Sequence, residues 1–202
     1  MGIEVLVVQH GEKVRSPGDP GLTAKGRQQA ATVATWLVEH HRDIDSIWAS
    51  PLRRARETAR PIAAVFGLEV RTEARLRERM NWDDATAIGL EEFLAEWRRA
   101  SHDHSYQPMV GDSASEAAMR FIAALVDIEE QVGEGTVVVV AHGGVTVDTL
   151  RSLVGDEAVT RADPDLIDDG VPSCAITRLR VEDGRVTVGC YPSTSHLDVG
   201  DQ

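Results

Sequence analysis

The segment TVVVVAHGG, residues 136–144, decides the fold, because it joins an unbroken apolar run to a histidine and two glycines. A second segment of this kind, IEVLVVQHG, covers residues 3–11. Short, continuous runs of β-branched residues are typical of strands buried on both faces of a parallel sheet. Each segment therefore predicts a buried strand that ends at a histidine and continues through glycine.

Outside these two strands, the chain alternates between helix and strand patterns. Two further strands are predicted at 47–49 and 68–71. The first predicted helix runs from its N-cap Thr23 to about His41, and the second is capped by Ser50 with Pro51 at its first position. Three more helices are predicted: an amphipathic one around 90–97, one over 113–131 with a Ser113–Glu116 capping box, and one from Gly144. No repeat or linker divides the chain. We expect one α/β domain over residues 1–202, a three-layer sandwich of a mostly parallel sheet with helices on both faces.

The C-terminal segment has a different pattern, in which apolar and polar residues alternate on both sides of Asp183-Gly184. This pattern predicts an antiparallel hairpin with a two-residue turn. The predicted pairs are 181 with 186, 179 with 188, 177 with 190, and Cys174 with Ser193. In that register Cys174 and Cys190 point to opposite faces and cannot form a disulfide, so we interpret both as packing residues.

Composition excludes several classes of protein. A hydrophobic content of 42% is too high for a disordered chain, and no apolar run reaches the roughly 20 residues of a membrane span. The net charge of −12 argues against nucleic acid or an anionic membrane as a partner. The N-terminus has no basic signal region, and two cysteines are not a disulfide framework, so we expect a cytoplasmic protein.

The charge is unevenly distributed. Residues 1–60 contain nine Lys and Arg against seven Asp and Glu, whereas the rest of the chain is strongly acidic. An anion site is therefore expected in the first third. Arg53, Arg54 and Arg56 at the start of a predicted helix suit an anion, although arginines there also form solvated faces. The acidic stretch 163–169 is interpreted as a solvated loop.

His10 and His142 lie directly beyond the ends of the two apolar strands. In an open parallel sheet, ligands bind outside the carboxyl ends of the strands. The glycines that follow allow the backbone and a ligand to approach closely. A single histidine there is commonly structural, but two in the same context indicate a functional site.

The chain resembles the histidine phosphatase superfamily, and within it the phosphoglycerate mutase-like branch. The resemblance rests on several motifs in the expected order and spacing, since each alone is weak. They are QHGE at 9–12, LTxxGxxQA at 22–30, SPLRRAxxTA at 50–59, LxER at 76–79, GDS at 111–113 and HGG at 142–144.

The resemblance implies a phosphohydrolase that acts through a phosphohistidine on His10. Arg54 and His142 would hold the phosphoryl oxygens, and Glu78 would protonate the leaving oxygen and then activate water. The implied substrate is a small phosphorylated metabolite. No cofactor or metal is expected, because these residues supply a nucleophile, cations and an acid.

The implied phosphate-binding set consists of Gln9, Gly11, Lys13, Thr23, Arg54 and Gly143. Gln9 departs from the family pattern, in which an arginine that contacts the phosphoryl group stands before the histidine. A neutral amide binds an anion more weakly than a charged donor does. Lys13 either restores the missing charge or is a solvated lysine at the rim.

Three functions remain open at this stage. The first is a phosphatase, and the second is a phosphoglycerate mutase-type phosphotransferase, which resembles it but has a longer insertion before the GDS motif. Only 32 residues separate Glu78 from Gly111, which favours hydrolysis. The third is a degenerate member that binds phosphorylated ligands without turnover, as Gln9 suggests. Residues 80–112 are expected to lie over the site and to determine which substrates bind. The sequence leaves the oligomeric state open, with a homodimer as one option.

Overall fold

The computed structural model describes residues 2–41, 43–82 and 88–200. Its strands are β1 (Gly2–Gln9), β2 (Ser46–Ala49), β3 (Val70–Thr72), β4 (Gly135–Ala141), β5 (Ile176–Glu182) and β6 (Arg185–Ser193). Its helices are α1 (Ala24–His40), α2 (Arg53–Phe66), α3 (Leu90–His102), α4 (Ala114–Val132), α5 (Gly143–Val154), α6 (Asp156–Ala162) and α7 (Leu166–Asp169). Two 3-10 helices cover Ala74–Leu76 and Ser195–Gly200.

The strands form one sheet in the order β3-β2-β4-β1-β5-β6. The first four run parallel to one another, while β5 pairs antiparallel with both β1 and β6. One sheet face packs in a buried cluster with apolar residues of α1 and α2, and the other with those of α4 and α5. The predicted three-layer α/β sandwich is confirmed.

Local sequence signals explain where two of the helices begin. Thr23 is the N-cap of α1, and its hydroxyl accepts a hydrogen bond from the Gly26 amide at 3.0 Å. Ser113 and Glu116 form the complete capping box that begins α4. Both caps were predicted, because short polar side chains satisfy amides that lack helical partners.

The predicted start of α2 was wrong. The helix begins at Arg53, and its N-cap Leu52 supplies no side-chain cap. The Ser50 hydroxyl accepts from the Leu52 amide at 3.3 Å, ahead of the helix, and also lies 2.7 Å from Nε2 of His142, so Ser50 belongs to the sheet edge rather than to the helix.

The hairpin register was predicted correctly near its turn and wrongly farther out. Val181 pairs with Val186 and Leu179 with Val188, but an irregularity then pairs Cys190 with Arg178 and Ser193 with Ile176. Bulges displace all later pairs in a ladder. Cys174 and Cys190 are both free thiols, Cys174 buried as expected and Cys190 exposed, so only Cys174 is a packing residue.

The acidic stretch 163–169 also differs from its prediction as a loop. Its second half is the short helix α7, which buries Leu166 in the core. Two adjacent apolar residues among four aspartates give too weak a periodicity to predict a helix of this length.

Candidate active site

Three adjacent parallel strands, β1, β4 and β2, end at the same edge of the sheet, and each is followed by a polar residue. His10 follows β1, His142 follows β4 and Ser50 follows β2. The rings of His10 and His142 lie 5.3 Å apart between centroids, in an edge-on arrangement. The two histidines therefore lie next to each other at the strand ends, as the sequence predicts.

His10 is held in one tautomer. Its Nδ1 lies 2.8 Å from the carbonyl oxygen of Gly11, and because a carbonyl only accepts, Nδ1 is the protonated nitrogen. Burial, followed by the charge of Arg54, lowers the pKa of His10 to about 3. The ring is therefore neutral near pH 7, and Nε2 carries the lone pair, with the amide nitrogen of Gln9 at 3.5 Å.

His142 is fully buried beside His10. Burial, with the charges of Arg54 and His10, lowers its pKa well below the usual value. Its Nε2 contacts the Ser50 hydroxyl, whereas its buried Nδ1 has no hydrogen-bond partner among the described residues. An unsatisfied buried nitrogen costs about 1–3 kcal/mol and is commonly found where a ligand binds.

Arg54 lies in the first turn of α2 and is buried, whereas its neighbours Arg53 and Arg56 are exposed. One guanidinium nitrogen donates to Oδ1 of Asn81 at 3.2 Å and lies 3.9 Å from Oδ1 of Asp19. Of the three arginines predicted to bind an anion, Arg54 lines the same cavity as His10, whereas Arg53 and Arg56 face solvent.

Thr58 connects Arg54 with the histidine loop. Its hydroxyl donates to the carbonyl oxygen of Arg54 at 2.8 Å and accepts from the amide of Gly11 at 3.0 Å. Gly11 also packs so closely on Gly26 that a Cβ there would lie 2.5 Å from the Gly26 carbonyl oxygen. These contacts fix α2, α1 and the His10 loop relative to one another.

Glu78 is positioned by three backbone amides. Val145 and Arg79 donate to Oε1 at 2.8 Å each, and Gly144 donates to Oε2 at 3.0 Å. Two of the donors belong to the first turn of α5, whose amides have no partner within the helix. A Cβ on Gly144 would lie 2.6 Å from Oε1 of Glu78, so glycine is required for this approach.

His10, Arg54 and Glu78 line one cavity of about 550 Å³. Its polar floor is formed by His10, Lys13, Arg54 and Glu78, and its apolar wall by Met80, Trp82, Leu90, Phe93, Leu94 and Trp97. The volume is typical of sites for small organic ligands.

Lys13 and Gln9 occupy different positions around His10. Lys13 lines the cavity, and burial together with the charge of Arg54 lowers its pKa. Gln9 is 8% exposed and its Nε2 lies 3.5 Å from Nε2 of His10, while its buried Oε1 has no hydrogen-bond partner in the described part of the chain. Gly143 lies beside this amide, since a Cβ there would be 3.4 Å from Gln9 Nε2.

Thr23 performs a different task from the other predicted phosphate-binding residues. Besides capping α1, its hydroxyl lies 2.8 Å from Oε1 of Glu12. It is not among the described residues that line the cavity, and neither are Gln9, Gly11, His142 and Gly143. Thr23 therefore joins α1 to the loop that follows His10.

Sequence reasoning missed Asn81 and the contact of Ser50 with His142. It also missed a buried ion pair behind the site, in which Arg79 Nη1 lies 2.8 and 3.0 Å from the two oxygens of Asp148. Burial raises the pKa of Asp148 to about 7 despite the charge of Arg79. Arg79 is the last residue of the LxER motif and Asp148 lies four residues after the HGG motif, but no sequence signal pairs the two.

In the described ranges, no group of three or more His, Cys, Asp or Glu side chains is arranged to hold a metal ion. None of the helices in those ranges has both the length and the hydrophobicity of a bilayer-spanning helix.

Comparison with known proteins assigns the family. A model of the histidine phosphatase superfamily, branch 1, matches residues 5–193, and the chain belongs to this superfamily of enzymes. It is 33% identical over 213 residues to phosphoglycerate mutase-like protein 4 of Arabidopsis thaliana, an alignment that covers 96% of this chain and 87% of that protein. The predicted family and branch are confirmed.

Solved structures agree. The mycobacterial glucosyl-3-phosphoglycerate phosphatase superposes with a TM-score of 0.68 at 26% identity, covering 96% of this chain and 100% of that one. The Entamoeba histolytica phosphoserine phosphatase in complex with 3-phosphoglyceric acid gives 0.70 at 23% identity, covering 96% and 99%. At that identity the second comparison supports the fold alone.

Proposed function

We propose that this chain is a phosphomonoesterase that transfers a phosphoryl group to Nε2 of His10 and then to water. The observation that carries the proposal is the state of His10, a neutral ring whose proton is held on Nδ1 by the Gly11 carbonyl. An uncharged imidazole with a free Nε2 lone pair is the form that attacks phosphorus.

In the first step, Nε2 of His10 forms a bond to phosphorus while the bond from phosphorus to the ester oxygen breaks. Protonated Glu78 gives its proton to the departing alkoxide. The charge on the three equatorial oxygens is stabilised by Arg54, while His142 packs beside the His10 ring.

In the second step, Glu78 takes a proton from water, whose oxygen attacks phosphorus as the bond to Nε2 breaks. Inorganic phosphate leaves and His10 returns to its neutral form. The same carboxyl acts as acid and then as base, as the reversal of the first step requires. Its three backbone donors support this role by holding both oxygens in place.

The test is steady-state phosphate release from an aryl phosphate by the parent, His10→Ala and His40→Ala. His10→Ala should lower kcat by at least about a thousandfold, the scale seen when a nucleophile is removed, and the exposed His40 should be dispensable. Release should survive exhaustive chelation.

Acid-quenched enzyme should carry an acid-labile, alkali-stable phosphate on the peptide with His10, trapped best in Glu78→Gln. An acid-stable phosphate on Ser16 or Ser50 would contradict the mechanism. Transfer between phosphoglycerates with little release would assign the chain to the mutases, and binding without release to the degenerate members.

A further inference from the structure

We infer that the apolar wall is a binding site for the leaving group, and that the preferred substrates are phosphomonoesters of apolar, ring-sized alcohols. This inference rests on the proposed phosphatase function and specifies its substrate class. The lining of the cavity carries it, because the two sides differ in chemistry.

All the wall residues come from one stretch of chain, 80–97, and are apolar. The described lining residues of this stretch include one further polar side chain, Asn81, and that side chain accepts from Arg54 at the floor. The cations of the cavity, Lys13, Arg15 and Arg54, all come from outside this stretch. A charged leaving group would therefore find no ion-pair partner among the wall residues themselves and would lose water against them.

The wall exposes apolar surface that the fold does not use. Leu90 and Leu94 are 47% and 45% exposed, although Phe93 between them is 9% exposed and packs in a small core with Met80 and Ala100. A large apolar patch inside a cavity is typical of a binding site, because its burial by a ligand removes it from water.

Two aromatic side chains give the wall flat surfaces. The Trp82 indole N–H donates to the carbonyl oxygen of Ile88 at 3.4 Å, so its polar atom already has a partner. The ring of Trp97 lies 4.4 Å from the Arg79 guanidinium and 6.2 Å from the ring of Phe93. Ring-shaped apolar groups pack on such surfaces by offset stacking or edge-to-face contact.

The arrangement supports one orientation of substrate. The phosphoryl group would lie at the polar floor between His10 and Arg54, and the apolar part of the alcohol would lie along the wall. This assigns to residues 80–97 the specificity role predicted for the segment 80–112; residues 83–87 of that segment lie outside the described residues.

The experiment compares three primary alkyl phosphates, phenethyl phosphate, glycerol 1-phosphate and 3-phosphoglycerate, in which the same kind of ester bond breaks. The kcat/KM of phenethyl phosphate should exceed that of glycerol phosphate by at least about tenfold. Leu90→Ser/Leu94→Ser should lower this ratio about tenfold. Val38→Ser/Val65→Ser, which replaces apolar side chains of similar exposure on α1 and α2, is the matched control and should retain the ratio.

Turnover that depends on His10 but prefers glycerol phosphate or phosphoglycerate would overturn the inference and leave the phosphatase proposal standing. A ratio that responds equally to both double variants would also overturn it. Failure to hydrolyse any of the three esters or an aryl phosphate would overturn both proposals.

Discussion

The polar floor and the apolar wall of the cavity are held by different kinds of interaction. Two residues of the floor are fixed by the main chain: His10 by the Gly11 carbonyl, and Glu78 by three backbone amides. The wall is anchored by side chains, since Arg79 stacks on Trp97 and donates to Ser101 Oγ at 2.9 Å, both on α3. Floor geometry thus follows from the sheet, whereas wall geometry depends on a few buried contacts.

Asp148 on α5 forms an ion pair with Arg79, and both side chains are 1% exposed. We call this pair the wall anchor, because Arg79 also contacts α3. Buried pairs of this kind contribute little net stability when intact but cost several kcal/mol when one partner is removed. The difference between the two regions can therefore be tested by breaking the anchor without touching the floor.

The largest expected effect is on stability, from Asp148→Leu. It should lower the free energy of unfolding by about 3–5 kcal/mol, because it leaves the Arg79 guanidinium buried and unable to lose its charge. Arg79→Met should cost less, because burial already raises the pKa of Asp148 to about 7 and the carboxyl can become neutral. Urea denaturation at pH 7 measures both.

The double variant Arg79→Met/Asp148→Leu should be more stable than Asp148→Leu alone. Glu182→Gln, which breaks the exposed pair with Arg180, is the control and should change stability by less than about 1 kcal/mol. Equal losses in Arg79→Met and Asp148→Leu would show that a trapped charge is not the cause.

A smaller effect is expected at the floor, from Gln9→Arg. The change places a charged donor where a neutral amide now lies 3.5 Å from His10, and should stabilise the transition state by about 1–2 kcal/mol. This corresponds to a rise in kcat/KM of roughly five- to thirtyfold on an aryl phosphate.

Lys13 decides how large the gain from Gln9→Arg is. If its ammonium already supplies the missing charge, the gain should be small in Gln9→Arg and appear in Gln9→Arg/Lys13→Ala. Should neither variant exceed the parent while His10→Ala abolishes activity, Gln9 does not stand in for a phosphate-binding arginine.

The smallest effect is a pH dependence of stability between pH 5 and 6. His10 and His142 have pKa values below the usual 6.5, so the unfolded state binds more protons and each contributes a loss of up to about 1.4 kcal/mol per unit as pH falls. Asp148 has the opposite sign: its raised pKa of about 7 contributes stability at low pH that is lost as pH rises. The net expectation is a loss of about 1.4 kcal/mol on acidification from pH 6 to 5.

Variants separate these contributions. His10→Gln should remove most of the net slope, and Asp148→Asn should roughly double it, both measured by denaturation at pH 5 and 6. A slope that neither variant changes would mean that other groups control the acid sensitivity.

The sequence predicted the floor better than the wall. His10, His142, Arg54 and Glu78 belong to local motifs at element ends, and the fold brings all four to one edge of the sheet. The wall helix was also predicted, as an amphipathic helix around 90–97, but the exposure of Leu90 and Leu94 was not. They are nearly half exposed, because periodicity identifies an apolar face and does not say what covers it.

Errors in the prediction occurred where a side chain had a choice of partners. Ser50 had the pattern of a helix cap, yet its hydroxyl contacts His142, which is 92 residues away in the chain. The hairpin register departs from the predicted one at Arg178, where the strand pairing shifts. No residue type in this part of the sequence predicts the irregularity.

The sequence by itself determined the strands, most of the helices, the parallel sheet and the histidines at its edge, because buried strands, caps and glycine turns are encoded by neighbouring residues. Only the tertiary structure decided the tautomer and low pKa of His10, the three amides on Glu78, and the pairing of Arg79 with Asp148 across 69 residues. These properties arise from loss of water and from contacts between distant segments. They exist only once the chain is packed.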